Sequence, residues 1–345
     1  MKNKAFINKY RFPEPLYITQ PTLPDIEEYK KSLETIWGSK WLTNNGSFHQ
    51  SFEKKLCDYL EVTSLNLLCN GTTALLLSLK SLDLPEGEII TTPFTFPATP
   101  HAITWNNLTP VFCDIKPGTF ALDPSKIEEL ITPKTKGILP VHLFGYPCDV
   151  EEIEKIAQKH KIKVIYDAAH AFGVRYKNKP LVSWGDGSVL SFHATKSFQT
   201  IEGGAIIPNS PELKKKIDLL KNFGIVDETT VEMVGINGKM NEFQAAFGLL
   251  QLKTHRDEIN ARKTLTNLYR KNLKGISGIV FPEDMEEVDH NYSSFPIIVH
   301  ASEYGMSRNN LYETLKEFNV FTRKYFSPLC STYPHYSHLV KNTKF

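Results

Sequence analysis

Much of what a 345-residue chain could carry is missing from this one. No apolar run approaches the ~18 residues of a membrane-spanning helix. The N-terminal "MKNKAFINKYRFPEPLY" is basic but lacks the apolar stretch of a signal peptide. The cysteines are Cys57, Cys69, Cys113, Cys148 and Cys330; none form a C-x-x-C pair, and their odd number argues against a disulfide framework. Charge is balanced, with 40 Lys and Arg against 38 Asp and Glu, so the basic stripe that holds nucleic acid is not expected. No G-x-G-x-x-G follows a strand-like run, which disfavours a dinucleotide cofactor. Neither an internal repeat nor a helix-turn-helix with a basic face is found. These absences predict a cytoplasmic protein that has neither membrane nor nucleic acid as a partner.

What remains is an ordinary globular composition, 41% hydrophobic and 23% charged, on a chain long enough for a large domain and a smaller one. From about residue 60 to 210, short apolar runs alternate with helix-like stretches. "EIITTPF" and "ATPHAITWNNLTPVFCDI" precede "DPSKIEELI", where Asp123 and Pro124 mark a helix start. "TKGILPVHLFG" follows. In "DVEEIEKIAQKH" the spacing puts Val150, Ile153, Ile156 and Ala157 on one helical face, and "KIKVIYDAA" reads as a buried strand. Strands alternating with helices predict an α/β fold: right-handed crossovers and a mostly parallel sheet sandwiched by helices. After Gly204 the chain turns strongly helical, in "PELKKKIDLLKNFG" and "KMNEFQAAFGLLQLKTHRDEINARKTLTNLYRKNLK", and then mixed. We expect a large domain over 1–245 and a small α+β domain over 246–345, joined along a long helix.

Ligands of open parallel sheets bind beyond the carboxyl ends of the strands. Three segments end there. In "LLCNGTTALLLSL", Asn70-Gly71 turns into a helix opened by Thr72 and Thr73, a start that suits an anion or simply a cap. In "VIYDAAHAFG", Asp167 leaves a buried strand before two small residues, as a helix cap or as the partner of a protonated heterocyclic nitrogen. In "VLSFHATKSFQTIEGG", Ser191 precedes Lys196, and Gly203-Gly204 permits positive φ and a close backbone approach. Burial would strip the lysine's proton and leave a nucleophile suited to a Schiff base; a solvated loop lysine is the plain alternative. Phosphate site, carboxylate and amine together match the demands of pyridoxal 5'-phosphate (PLP), and Phe94 and Phe96 supply aromatics for stacking. His193 could orient substrate or be structural. Arg323, Lys324 and Tyr325 could meet a diphosphate or form a solvated loop. Cys330, His335 and His338 fit no common zinc spacing and read as a surface tail, so no metal is expected.

The segments "WLTNNGSFHQSFEKKL", "NGTTAL", "TTPFTFPAT", "VHLFGYPCDV", "DAAHAFG", "SFHATKSFQTIEGGA", "GINGKMNEFQAAFGLLQL" and "TRKYFSPL" resemble the DegT/DnrJ/StrS sugar aminotransferases, over most of residues 20–330. The resemblance implies fold type I and PLP, with pyridoxamine 5'-phosphate as its aminated form. It makes Lys196 the Schiff-base lysine, Asp167 the partner of the ring nitrogen and His170 a neighbour of the ring hydroxyl. Phe96 and Ala169 would flank the ring, while Thr72, Thr73 and Ser191 would hold the phosphate. Asn237 would reach the phosphate of a neighbouring subunit, which implies a homodimer with shared sites. The closest resemblance is to enzymes aminating dTDP-4-keto-6-deoxy sugars with L-glutamate, which leaves as 2-oxoglutarate. Amination at C-3, a UDP-sugar, or a PLP-binding regulator are the alternatives. Some relatives replace the lysine with histidine and become dehydratases; Lys196 favours transamination. Relatives usually run some tens of residues beyond the "YPHY" region, whereas this sequence reaches Phe345, which bears on the contacts expected of the small domain.

Overall fold

The computed structural model of the chain describes residues 4–340. Seven short strands build its central sheet: β1 (Asn66–Leu68), β2 (Glu88–Thr91), β3 (Thr109–Phe112), β4 (Thr135–Leu139), β5 (Lys163–Asp167), β6 (Gly187–Ser191) and β7 (Gly204–Pro208). Their order is β1-β7-β6-β5-β4-β2-β3. Only β7 runs against the rest, pairing antiparallel with β1 and β6; the other neighbours are parallel.

Alternation along each strand explains why both faces are covered. Ile90, Ile138, Val164, Tyr166, Leu190, Ala205 and Ile207 feed one core, which also holds Phe52, Leu56, Val150 and Ile153. The residues between them, Ile89, Leu139, Ile165, Val189 and Ile206, feed a second core with Leu75, Leu79, Ala102, Ile103 and Ile217. A strand buried on both faces reads as a continuous apolar run, as "KVIYD" does.

Helices α1 (Ile26–Ser39), α2 (Ser47–Leu60), α3 (Gly71–Lys80), α4 (Ala98–Trp105), α5 (Val150–His160) and α6 (Pro211–Leu220) surround the sheet. Helix α5 lies where its periodicity puts it: Asp149 caps the Glu152 N–H at 3.3 Å and Lys161, at φ 55, ends it. The apolar run "ATPHAITWNNLTPVFCDI" is not one extended piece. Its first part is helix α4 and only Thr109–Phe112 is strand.

Helix α7 (Glu242–Leu273) starts with a capping box between Asn241 and Gln244 and runs through the expected domain boundary. Ala245, Ala246, Phe247 and Leu250 are buried at its start, where it packs on α1 and α2. Beyond it lie the antiparallel pair Ile279–Val280 with Ile298–Val299 and helix α8 (Arg308–Glu317). Leu16–Tyr17, near the start of the chain, pairs in parallel with Val320–Phe321 near its end.

Candidate active site

The site is built at the carboxyl ends of β5, β6 and β1. Asp167 is the last residue of β5 and is 4% exposed. Its backbone is fully engaged: its N–H donates to Pro140 O, and its carbonyl accepts from His142, both at 2.9 Å. The side chain is held twice. Oδ2 accepts the Thr99 hydroxyl at 2.8 Å and Oδ1 accepts the Ala169 N–H at 3.1 Å. Burial pushes the carboxyl's pKa up, while those two bonds and the charge of Lys196 act against it.

Lys196 lies in the turn after β6, where its N–H donates to His193 O at 2.8 Å. Burial lowers its amine from the ordinary 10.5 to about 8; Asp167 works against that shift and Arg323 with it. Asp167, Lys196 and Arg323 thus converge although about thirty residues or more separate each from the next. His170 belongs to the same cluster. Burial and the nearby lysine charge hold its imidazole well below 6.5, so it is neutral. Its Nδ1 accepts the Phe144 N–H at 3.1 Å, which leaves the ring hydrogen on Nε2. Phe144 sits at φ 56 to aim that N–H, and Asn291 ties the carbonyls of His170 and Phe172 at 2.9 and 3.0 Å. Phe144 and Thr99 lie inside segments that carry the resemblance, but nothing there singles out either of them, or Asn291, because each acts on a residue distant in the chain.

The anion cradle is at the start of α3. Asn70 caps the Thr73 N–H at 2.8 Å, and the first intrahelical bond runs from Ala74 N–H to Asn70 O at 3.1 Å. The N–H groups of Gly71 and Thr72 therefore stand at the positive end of the helix, with two threonine hydroxyls beside them. The Asn70 cap is observed, and it is compatible with an anion at the helix start. Ser191 closes the cradle: a Cβ built on Gly71 would lie 2.7 Å from Ser191 Cβ and 2.9 Å from its Oγ. Gly204 pairs with both Leu68 and Ser191, and a Cβ there would lie 2.7 Å from Asn70 O and 2.9 Å from Gly71 N. The close approach expected of the double glycine is real. Positive φ is not: neither Gly203 nor Gly204 has it, and Ile201 takes φ 67 instead.

The remaining candidates are less enclosed. Phe96 is 59% exposed after β2, and Ala169 follows Asp167 in a half-buried position. Phe94 is packed near Phe120, Phe144 and Phe326 instead. His193 is exposed and bonded to Thr195 Oγ1 at 2.9 Å. Arg323 is exposed, Lys324 Nζ lies 4.8 Å over the Tyr312 ring, and Tyr325 packs edge-on to Phe144. Asn237 is exposed, on a segment whose Gly238 abuts Thr73. Of the C-terminal trio, His335 and His338 are exposed, but Cys330 is buried and bonded to Thr95 O at 3.2 Å. The tail is anchored beside the site rather than lying free.

A cradle of backbone N–H and hydroxyl donors, a buried carboxylate and a low-pKa amine stand at the ends of neighbouring strands, and that donor set fits PLP at its phosphate, ring nitrogen and aldehyde. Comparison with known proteins agrees. Residues 24–345 match the profile of the DegT/DnrJ/EryC1/StrS aminotransferase family. A dTDP-4-amino-4,6-dideoxy-D-glucose transaminase of Escherichia coli is 51% identical over 325 residues, 94% of this chain and 87% of that protein. The crystal structure of DesI in the presence of its TDP-sugar product superposes with TM-score 0.90 at 34% identity, covering 95% of this chain and 83% of that one. Spr1654 of Streptococcus pneumoniae, in its PLP form, superposes with TM-score 0.85 at 27% identity, covering 96% and 88%.

Proposed function

The chain belongs to the DegT/DnrJ/EryC1/StrS aminotransferase family, and from that premise we propose that it transfers the amino group of L-glutamate to C-4 of dTDP-4-keto-6-deoxy-D-glucose. It is a PLP-dependent sugar aminotransferase. The products are dTDP-4-amino-4,6-dideoxy-D-glucose and 2-oxoglutarate, and the amino sugar serves O-antigen or surface-polysaccharide synthesis from the cytoplasm. The sugar and the carbon aminated rest on the 51% identity to the E. coli transaminase. The chemistry rests on one observation: an amine lowered to about 8 beside a buried carboxylate at the ends of neighbouring strands.

When bound, PLP supplies an electron sink for charge developing at the donor's α-carbon. Asp167 holds a proton on the ring nitrogen, and His170, with its hydrogen on Nε2, is the donor for the ring hydroxyl oxygen. Thr72, Thr73, Ser191 and the first N–H groups of α3 hold the phosphate. Phe96 and Ala169 flank the ring. Lys196 binds the cofactor covalently through Nζ. Once displaced by the donor, the same amine would serve as the base that moves the proton from glutamate's α-carbon to the cofactor and, in the second half-reaction, from the cofactor to C-4 of the sugar. Its lowered pKa suits both tasks, since an ammonium could neither attack nor accept a proton. Arg323, Lys324, Tyr325 and His193 face the nucleotide sugar, with Arg323 and Lys324 toward the diphosphate.

The partner is a second copy of the chain, whose Asn237 completes each phosphate site. Supporting this, Trp37, Trp41, Phe96, Ile201 and Val234 leave between 50% and 87% of their surface exposed, large apolar side chains that a partner could cover. The division into 1–245 and 246–345, joined along α7, belongs to the same reading. Replacing Lys196 with Ala should remove the cofactor's covalent link, trapped by borohydride reduction, and lower turnover by at least about a thousandfold. A labelled or active Lys196→Ala enzyme would contradict the assignment.

A further inference from the structure

Asp167 is restrained by a chain of hydroxyls that the reaction as described does not use. Thr99 is fully buried in the first turn of α4, and its Oγ1 lies 2.8 Å from Asp167 Oδ2 and 2.9 Å from the hydroxyl of Thr95. A threonine hydroxyl has one proton, and a carboxylate can only accept, so the Thr99 proton goes to Asp167. Thr95 must then donate to Thr99, which fixes the direction of the whole chain. Thr95 is itself buried. A threonine inside an apolar helix commonly returns its hydroxyl to the carbonyl four residues back, as Thr104 does with Pro100 O at 3.2 Å. Thr99 instead reaches a carboxylate 68 residues away in sequence.

We propose that Thr99 is a positioning residue for transamination: its hydroxyl, directed by Thr95, fixes the plane of the Asp167 carboxylate and keeps it an anionic acceptor for the cofactor's ring nitrogen. This rests on the role given to Asp167. With Oδ2 taken by Thr99 and Oδ1 by the Ala169 N–H, the carboxylate is pinned at both oxygens, and each keeps a further lone pair for another donor. Burial works against the anion, and the two donors, together with the charge of Lys196, offset it from the protein side, the Thr99 bond foremost. Without the Thr99 hydroxyl, Asp167 would be held at Oδ1 alone and take up a proton more readily, which would weaken the counter-charge at the ring nitrogen.

The test compares Thr99→Val, Thr99→Ser, Thr95→Val and Asp167→Asn in the holoenzyme, by PLP affinity from fluorescence titration and by kcat and sugar KM. Thr99→Val keeps the shape and removes the hydroxyl; it should weaken PLP about tenfold and lower kcat about tenfold with KM unchanged. Thr99→Ser should recover both to within about twofold, and Thr95→Val should lose about threefold. Asp167→Asn should lose about a hundredfold. Wild-type behaviour of Thr99→Val beside a collapsed Asp167→Asn overturns this inference alone. Equal losses in Thr99→Val and Thr99→Ser make Thr99 a packing residue and also overturn it. A near-normal Asp167→Asn overturns the reading of Asp167 itself. Should Thr99→Val not fold, unchanged PLP affinity in Thr95→Val overturns the inference.

Discussion

At the residue scale, the chemistry turns on the proton of Lys196. An amine lowered to about 8 is charged below that pH and neutral above it. Covalent capture of PLP by the apoprotein should therefore accelerate as pH rises through about 8, followed by stopped-flow absorbance. A midpoint near the ordinary 10.5 would show that the lysine is solvated. The sign for stability follows from proton counts. Between about 8 and 10.5 the folded lysine binds fewer protons than the unfolded one, so this group makes the apoprotein more stable as pH rises through that window. Below it the native state carries the whole cost of a half-buried ammonium. Lys196, Asp167, Ser191 and the threonine turn were legible because each stands where an apolar run ends. Thr99 was not. Its bond to Asp167 is tertiary, and in "PFTFPATP" it looks like one more small residue among prolines.

Elements explain why those residues meet. Strand β7, the one strand running against the rest, lies between β1 and β6 and brings Gly204 level with both Leu68 and Ser191. The phosphate turn after β1 and the lysine turn after β6 are thereby clamped side by side. A Cβ at Gly204 would press on backbone atoms of Asn70 and Gly71, which cannot swing aside as a side chain can. Gly204→Ala should lower retained PLP after dialysis by about tenfold and destabilise the fold by a few kcal/mol, in the range of overpacked cores, about 1–3. Full retention would mean that the cradle tolerates the shift. The alternation of strands and helices was plain in the sequence because buried strands and the amphipathic α5 have unlike periods. Helix α4 escaped it. With Thr99, Pro100, Ala102 and Ile103 all buried, its run is apolar without helical periodicity.

For the whole molecule, the question is whether one chain holds a complete site. Asn237 is exposed, and so are the apolar side chains around residues 223–236, among them Phe223, Val231, Val234 and Ile236. If Asn237 serves the partner's phosphate site, inactive Lys196→Ala and weakened Asn237→Ala subunits should complement when mixed and refolded together. Each mixed dimer then regains one intact site, and random assortment predicts about a quarter of the wild-type rate. No recovery above the sum of the separate variants would place Asn237 in its own subunit's site. Glu242 holds the nearby surface together within one chain. Its buried carboxylate accepts the N–H groups of Phe48 and His49 at 2.8 and 2.9 Å, fastening the start of α2, and the Trp41 segment before it, to α7. Leu42, next to the exposed Trp41, accepts the Glu242 N–H at 3.0 Å.

The substrate is the part of the account that sequence patterns and site geometry leave to chemistry. The most direct test supplies the purified, PLP-loaded enzyme with L-glutamate and dTDP-4-keto-6-deoxy-D-glucose and identifies the product by NMR. Formation of dTDP-4-amino-4,6-dideoxy-D-glucose with equimolar 2-oxoglutarate is the predicted result. No turnover with this sugar, or an amine on C-3 when the 3-keto isomer is offered in its place, would contradict it.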